Sequence, residues 1–244
     1  MGCMRRKGGL VSVVLGVGIA VLLIGAVLTI LAIRGDISIH GITPKKVAGK
    51  VVEIGEFNAS VLEVKAVVGN VSVVGANVSG IVVRSNLPIN VSLEKGVLTV
   101  YCPTKKVGIT HRNICNDYRN GTVIVEVPGR LLGLNVRDVV GDVLVASNST
   151  QVDVTDVVGD VTGTSWNDYD LSDIVGDVHL NVVERATISD VVGDVTITVP
   201  QDFGAALTAE DIVGDVTNTA TGKNGTVVIT VKDVVGDITV GMSF

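Results

Sequence analysis

The chain has few large side chains with which to fill a globular core. Aromatic residues make up 3% of its 244 residues, and there are only five Pro. Hydrophobic residues still reach 47%, and the mean hydropathy is +0.54. Outside the N-terminus, most of this apolar content is valine, which is β-branched and favours strands. The composition therefore indicates a narrow stack of strands.

The chain also lacks the sequence marks of catalysis and of nucleic-acid binding. Its three His residues, His40, His111 and His179, lie in unrelated contexts, and it has no nucleophile elbow, phosphate-binding loop or zinc-binding His pair. The net charge is −6, and no basic stripe occurs beyond the N-terminal tail. We therefore expect no enzyme activity, no required cofactor and no nucleic-acid partner.

One long uncharged run stands at the N-terminus, from Leu10 to Ile33. At about 1.5 Å per residue it spans roughly 36 Å, which is enough to cross a hydrocarbon core of about 30 Å. Arg5, Arg6 and Lys7 precede the run, and the positive-inside rule places them in the cytoplasm. The sequence predicts a cytoplasmic tail over residues 1–8, a single transmembrane helix over residues 9–34 and an extracellular C-terminal body.

Two alternatives for this N-terminal run stay open. A cleaved signal peptide has a shorter apolar region, typically about 7–15 residues, and a small-residue cleavage site. Basic residues, Gly8-Gly9 and then an apolar helix also resemble the leader of archaeal type IV pilins. The N-terminal residue of the mature protein distinguishes these alternatives from an uncleaved anchor.

The body of the chain repeats a hexapeptide of the form D-[VI]-V-G-D-[VI]. The six copies begin at Asp138, Asp156, Asp173, Asp190, Asp211 and Asp233. Their spacings are 18, 17, 17, 21 and 22 residues, and Ala66–Val71 is an earlier variant. Repeats of this length are too short for helical crossovers, so stacked strands are the expected architecture.

The residues that flank each hexapeptide alternate between apolar and polar, as in a strand. Around Asp190 the phase of this alternation slips by one residue, which marks a bend or bulge. Each repeat thus predicts a strand, a corner relaxed by a glycine such as Gly193, a second strand and a turn to the next rung. The predicted fold is all-β, a parallel β-solenoid over residues 55–244, after a linker over residues 35–54.

Strand–Gly-Asp–strand repeats occur here with leading segments at Val125–Leu134 and Thr198–Gly204, each containing Val-Pro. In these features residues 55–244 resemble a prokaryotic domain family of unknown function that is provisionally assigned to adhesins. The resemblance implies a right-handed β-solenoid on an archaeal or bacterial surface protein. The chain departs from the family in having Asp-Val-Val before the Gly-Asp, where the family more often has Ser.

The repeats place carboxylates in two columns, which gives the chain its candidate metal ligands. The second column contains Asp142, Asp160, Asp177, Asp194, Asp215 and Asp237. Carboxylates about 5 Å apart repel one another, and an oxygen-rich column suits a hard cation such as Ca²⁺. The favoured interpretation is that each Asp instead accepts backbone N–H groups at its turn and stays solvated.

Two further sets of residues are typical of an exported protein. Asn-x-Ser/Thr sequons, which are candidate glycosylation sites, occur at Asn58, Asn70, Asn77, Asn90, Asn120, Asn148 and Asn224. Cys102 and Cys115 bracket a basic insertion over residues 102–121, and outside the cell they are expected to form a disulfide.

Together these features predict a single-pass cell-membrane protein with a structural or adhesive extracellular β-solenoid. Its expected partners are the membrane and other surface proteins or glycans, which would bind a lateral face or the Cys102–Cys115 loop. Self-association through exposed solenoid ends is a further expectation, with Gly241–Phe244 as a candidate cap. The alternatives are a pilin-like filament subunit and an envelope sensor component.

Overall fold

A computed structural model of the chain describes residues 45–129, 131–164 and 168–243. The predicted cytoplasmic tail and transmembrane helix lie outside these residues. Within them, no helix is long and apolar enough to cross a membrane. The chain divides into two units, one of Met1–Thr43 with Lys106–Arg112 and the other of Pro44–Lys105 with Asn113–Phe244.

The described residues are built almost entirely of strands, and their one helical turn is a 3-10 turn at Ile114–Asp117. The strands before the repeats are β1 Lys46–Val47, β2 Val52–Phe57, β3 Val61–Val68, β4 Asn70–Gly75, β5 Ile81–Ser85, β6 Asn90–Glu94, β7 Val97–Tyr101, β8 Thr104–Val107, β9 Thr110–Asn113, β10 Tyr118–Arg119 and β11 Thr122–Val127. Strands β1 and β2 therefore already lie in or overlap the segment predicted as a linker.

Each of the six hexapeptide repeats contributes a long strand and then a short strand. These strands are β12 Gly133–Val140, β13 Val143–Ala146, β14 Gln151–Val158, β15 Val161–Gly163, β16 Asp168–Val175, β17 Val178–Asn181, β18 Arg185–Val192, β19 Val195–Val199, β20 Gly204–Val213, β21 Val216–Asn218, β22 Thr226–Val235 and β23 Ile238–Met242. The prediction of an all-β body with long parallel sheets is confirmed.

The strands form two large sheets. The long-strand sheet has the order β20-β22-β18-β16-β14-β12-β3-β7-β6, and the short-strand sheet has the order β2-β5-β11-β4-β13-β15-β17-β19-β23-β21. Within the repeats every neighbouring pair is parallel and in register, as Val139, Val157 and Ile174 show. One long strand and the short strand that follows it form what we call a rung.

The corner of each rung is a sharp bend inside the long strand, and it confirms the predicted phase slip. In β18, Ile188 and Val191 are both buried although they are three positions apart, where regular alternation would place them on opposite faces. Between them Asp190 adopts a φ of +55°, and the equivalent Asp of the other repeats has a φ of +54° to +56°. Asp and Asn tolerate this left-handed region better than other non-glycine residues.

The glycine of each repeat forms a column in which successive rungs touch. Gly193 has a φ of +150°, and a Cβ atom there would overlap the carbonyl oxygen of Gly176 in the next rung. The same contact recurs between Gly176 and Gly159. Glycine is therefore required for close approach as well as for backbone freedom.

Columns of aliphatic side chains fill the space between the two sheets. Val143, Val161, Val178 and Val195 form one such column, and each is at most 1% exposed. Because the residues above and below are nearly identical, the core repeats from rung to rung.

The sequence predicted that the rungs stack in chain order, and this prediction is wrong at one end of the stack. β18 pairs with β22, and β22 pairs with β20, so the last repeat lies between the two before it. The inward residues explain this order. Val227, Ile229 and Val231 of β22 are fully buried, whereas their partners in β20 are Ala205, Leu207 and Ala209. The smaller side chains of β20 lose less burial free energy when they stand at the exposed end of the stack.

Candidate interaction surfaces

The second aspartate column is a ladder of hydrogen bonds between rungs. Asp177 Oδ1 accepts the backbone N–H of Asp194 at 2.9 Å, and Asp194 Oδ1 accepts that of Asp237 at 2.9 Å. The same bond joins Asp142 to Asp160, Asp160 to Asp177, and Asp237 to Asp215. Asn70 begins the ladder by accepting the N–H of Asp142 at 3.1 Å.

This ladder explains why an acceptor is repeated at the corner. The turn exposes a backbone N–H that has no strand partner, and the carboxylate of the adjacent rung satisfies it. The bonds run between rungs, which is one step beyond the local turn-capping that the sequence suggested. Among the described residues, no group of three or more His, Cys, Asp or Glu side chains is placed to hold a metal ion.

The first aspartate column consists of the first Asp of each hexapeptide, and repulsion between its carboxylates is unfavourable. Burial raises the pKa of Asp173, and the carboxylates of Asp156 and Asp190 in the adjacent rungs raise it further. A hydrogen bond with Ser172 acts in the opposite direction. The carboxylates therefore repel one another along the stack, as their spacing predicts.

A compact ion-pair cluster lies on the outer face of the long-strand sheet, around Glu63. Burial alone would raise the pKa of Glu63, but hydrogen bonds from Lys65, Arg137 and Thr99 together lower it to about 2. Lys65 Nζ and Arg137 Nη2 lie 2.8 and 2.7 Å from its carboxylate. The cluster ties three neighbouring strands together through their side chains.

The predicted disulfide between Cys102 and Cys115 is confirmed, with Cα atoms 5.9 Å apart and both residues buried. Between the two cysteines, β8 and β9 pair as a two-stranded sheet. We call residues 104–113 the basic hairpin, because they contain Lys105, Lys106 and Arg112 but no acidic residue. Near its turn, the side chain of Val107 is 51% exposed and that of Ile109 is 98% exposed.

All seven sequon asparagines are exposed. They are Asn58, Asn70, Asn77, Asn90, Asn120, Asn148 and Asn224. By contrast, the asparagines outside sequons include four that are half-buried, namely Asn86, Asn113, Asn116 and Asn135. The acceptor side chains thus lie where a glycan could be attached, and none lies on β14 to β21.

Open depressions occur on the surface of the described residues. One, of about 310 Å³, is lined by Thr150, Gln151, Asp168, Tyr169, Asp170, Arg185 and Thr187. Arg185 donates to Asp168 at 2.9 Å there. The other, of about 510 Å³, lies beside Gly69 and Gly121 and includes Lys45 and Tyr118. Neither assembles a nucleophile with an adjacent base, so neither supports a reaction mechanism.

The two ends of the stack differ. At the end that contains β7 and β11, the strands β6 and β5 pair antiparallel to the outermost parallel rung. Leu87, which is 4% exposed, packs against Gly121 there, and Asn86 Oδ1 accepts the N–H of Thr122 at 2.7 Å. This end is capped.

At the other end the strands β20 and β21, which we call the end rung, are the last of their sheets. Of the candidate cap Gly241–Phe244, Gly241 and Met242 belong to β23, inside the stack, and do not cover the end rung, whereas Phe244 lies outside the described residues. Val216 is 45% exposed although its counterparts in the column are at most 1% exposed. No repeat signal in the sequence distinguishes this end, and only the small inward residues of β20 could have indicated it.

No model of a protein family matches the chain, and no curated protein matches it. Solved structures with partial likeness include a provisionally named cell adhesion protein from Clostridium sporogenes, with 12% identity, a TM-score of 0.39, and coverage of 80% of this chain and 98% of that one. A provisionally named adhesin from Bacteroides fragilis has 16% identity, a TM-score of 0.36, and coverage of 82% and 100%.

A provisionally named lipid-binding protein from Parabacteroides distasonis has 10% identity, a TM-score of 0.29, and coverage of 80% and 96%. At these identities and TM-scores the likenesses carry no argument about what this chain does. Its function is therefore argued from its own residues.

Proposed function

We propose that this chain is a membrane-anchored cell-surface protein whose stacked rungs form a structural and adhesive β-solenoid without catalysis. The observation that carries the proposal is the uninterrupted core. In the stack from β3 to β22 the inward residues at the corner are at most 1% exposed, so the space between the sheets is filled with side chains. These residues are Val67, Val139, Val157, Ile174, Val191 and Val234. Such a body offers long lateral faces for contact and no enclosed site for a reaction.

Export of the body is supported by two independent features. The disulfide between Cys102 and Cys115 suits an oxidising compartment outside the cytoplasm. Every sequon asparagine is exposed, as glycosylation requires. The uncharged run over residues 10–33, preceded by Arg5, Arg6 and Lys7, supplies the anchor and its orientation.

The runner-up is a pilin-like filament subunit, in which the same apolar run packs in the core of a fibre. It is favoured by one observation, the Gly8-Gly9 pair between the basic residues and the apolar run. In that case cleavage near Gly9 would remove the basic tail.

Thiol labelling of intact cells tests the anchored orientation. Gln201 lies at an exposed turn before β20, so a Gln201→Cys variant should react with a membrane-impermeant maleimide in whole cells. The native Cys3 in the predicted cytoplasmic tail is the internal control and should react only after lysis. Labelling of position 201 only after lysis would contradict the proposed orientation.

Adhesion is tested separately by comparing cells that produce the chain with cells that lack it. Producing cells should attach more strongly to sister cells and to immobilised cell-envelope fragments. Equal attachment would remove the adhesive half of the proposal and leave a structural role.

A further inference from the structure

Among the described residues, no strand pairs with the outer edges of β20 and β21. On β20 the N–H of Ala205 is already bonded to Ala220 O, so the open groups lie beyond that residue. Val228 N–H donates to Glu184 O, just before β18, so by strand alternation Ile229 and Val231 direct their backbone groups toward β20. Their register partners Leu207 and Ala209 then direct their own N–H and C=O groups away from the stack. An open edge of this kind is a template for an added strand.

The side chains of the end rung add apolar surface and negative charge to this edge. Val213 is 58% exposed and Val216 is 45% exposed. Residues 204–218 contain Glu210, Asp211 and Asp215 but no Lys, Arg or His. Lys232 in β22, the register partner of Glu210, lies 3.5 Å from Asp233.

The basic hairpin has the complementary properties. It carries Lys105, Lys106 and Arg112 without an acidic residue, and Val107 and Ile109 expose apolar side chains at its turn. It is already in strand conformation, and the buried disulfide between Cys102 and Cys115 closes its base. A preformed strand loses less conformational entropy when it binds than a flexible segment does.

We propose that copies of this chain associate head to tail, with the basic hairpin of one copy docking as an added strand on the end rung of the next. The apolar turn of the hairpin covers the exposed Val213 and Val216, while Lys105 and Lys106 face Glu210 and Asp215. The inference goes beyond the proposed anchoring and adhesion and does not depend on either.

A symmetric contact between two end rungs fits the charges less well. It would bring two sets of three carboxylates together, and the repulsion between these like charges would oppose association. A contact between two different surfaces leaves a hairpin free on one copy and an end rung free on the other. Head-to-tail growth therefore continues beyond two copies.

Charge reversal in the full-length chain tests the contact. Each protein is kept in the same detergent, and its mass is followed by sedimentation velocity against concentration at low salt. The wild-type chain should form oligomers whose mass grows with concentration. The variants K105E/K106E and E210K/D215K should each weaken association by about tenfold or more, and added salt should weaken the wild type.

The matched control is K46E/K50E, which makes the same charge change at two exposed lysines outside the hairpin. It should associate as the wild type does. Ala209→Pro removes an outward N–H of β20 and should weaken association without changing the charge. The circular dichroism and thermal midpoint of each variant identify any loss of fold.

Mixing the two defective proteins gives the sharpest outcome. K105E/K106E retains a native end rung and E210K/D215K retains a native hairpin, and the reversed hairpin of the first is complementary to the reversed end rung of the second. Their mixture should therefore form oligomers that neither protein forms alone. A chain that carries all four reversals should recover association. The proposal is overturned if the wild type stays monomeric at high micromolar concentration, if K105E/K106E associates like the control, or if the mixture stays monomeric.

Discussion

At the scale of single residues, the glycine column sets the most severe constraint. Each glycine combines a positive φ with contact to the carbonyl of the neighbouring rung, and no other residue satisfies both conditions. The first Asp of each repeat, three residues before the glycine, is less constrained, because a short polar side chain tolerates its left-handed φ.

Gly193→Ala should destabilise the body by at least about 3 kcal/mol, because the new methyl group overlaps the carbonyl of Gly176 and the backbone is strained. Gly129→Ala is the matched control, since a Cβ atom there meets nothing within 4 Å. Urea unfolding of the two variants provides the measurement. A loss for Gly193→Ala no larger than that for Gly129→Ala would contradict the close-approach explanation.

The aspartate ladder predicts a difference between two substitutions at one position. Asp177→Ala removes the acceptor for the N–H of Asp194 and should cost about 1–2 kcal/mol. Asp177→Asn keeps an acceptor and should cost less. Unfolding is measured with calcium and with a chelator. A large stabilisation by calcium that either substitution abolishes would show that the column holds metal and is not only a ladder.

The stability of the body should fall in acid because of Glu63. Its pKa in the folded chain is about 2, below the ordinary value of 4.5, so its stabilising contribution is present above pH 4.5 and is lost as the pH falls toward 2. Glu63→Gln should cost roughly 1–2 kcal/mol at neutral pH, and this difference should shrink in acid. A difference that is independent of pH, measured by urea unfolding across this range, would contradict the ion-pair explanation.

Asp173 contributes with the opposite sign. Its pKa is raised, so protonation is favoured in the folded chain, and lowering the pH through that pKa relieves repulsion from Asp156 and Asp190. The stability of the wild type in acid should therefore combine a loss at Glu63 with an opposing gain at Asp173.

At the scale of elements, the repeat predicts most of what is observed. Hydrophobic alternation and the hexapeptide locate both strands and the corner, because buried strand positions require apolar residues and left-handed positions favour Asp, Asn or Gly. The break in alternation at Asp190, which has a left-handed φ, is an example. The capping strands β2, β5 and β6 carry no repeat, so their antiparallel pairing could not be predicted from it.

The order of the last two rungs could not be predicted from the hexapeptides, since near-identical repeats can stack in either order. The observed order depends on a difference outside them. Ala205 and Ala209 in β20 stand where β22 has Val227 and Val231. Burial of the larger set, at about 0.8 kcal/mol for each added methylene, favours β22 inside the stack.

Crosslinking tests this order with three exposed threonines that share one register. Thr187 pairs with Thr230, and Thr230 pairs with Thr208. In a chain with Cys3→Ser, a thiol crosslinker of about 5 Å reach should join cysteines at positions 187 and 230, because adjacent strands lie about 4.8 Å apart. Cysteines at positions 187 and 208 should not be joined, and efficient joining of that pair would show that the rungs stack in chain order.

At the scale of the whole molecule, the described body has one capped end and one open end, and no sequon asparagine lies on strands β14 to β21. The open end is formed by the end rung, which exposes Val213 and Val216 and carries three carboxylates. It is therefore the surface at which the proposed contact with a neighbouring copy forms.

The most direct test of the central claim is the intact mass and N-terminal sequence of the protein purified from the membranes of its own cells. An anchored, exported surface protein predicts an N-terminus at Met1 or Gly2 and added glycan mass on the sequon asparagines. An N-terminus at Gly9 or Leu10 would contradict the uncleaved anchor and make the pilin-like filament subunit the better account of this chain.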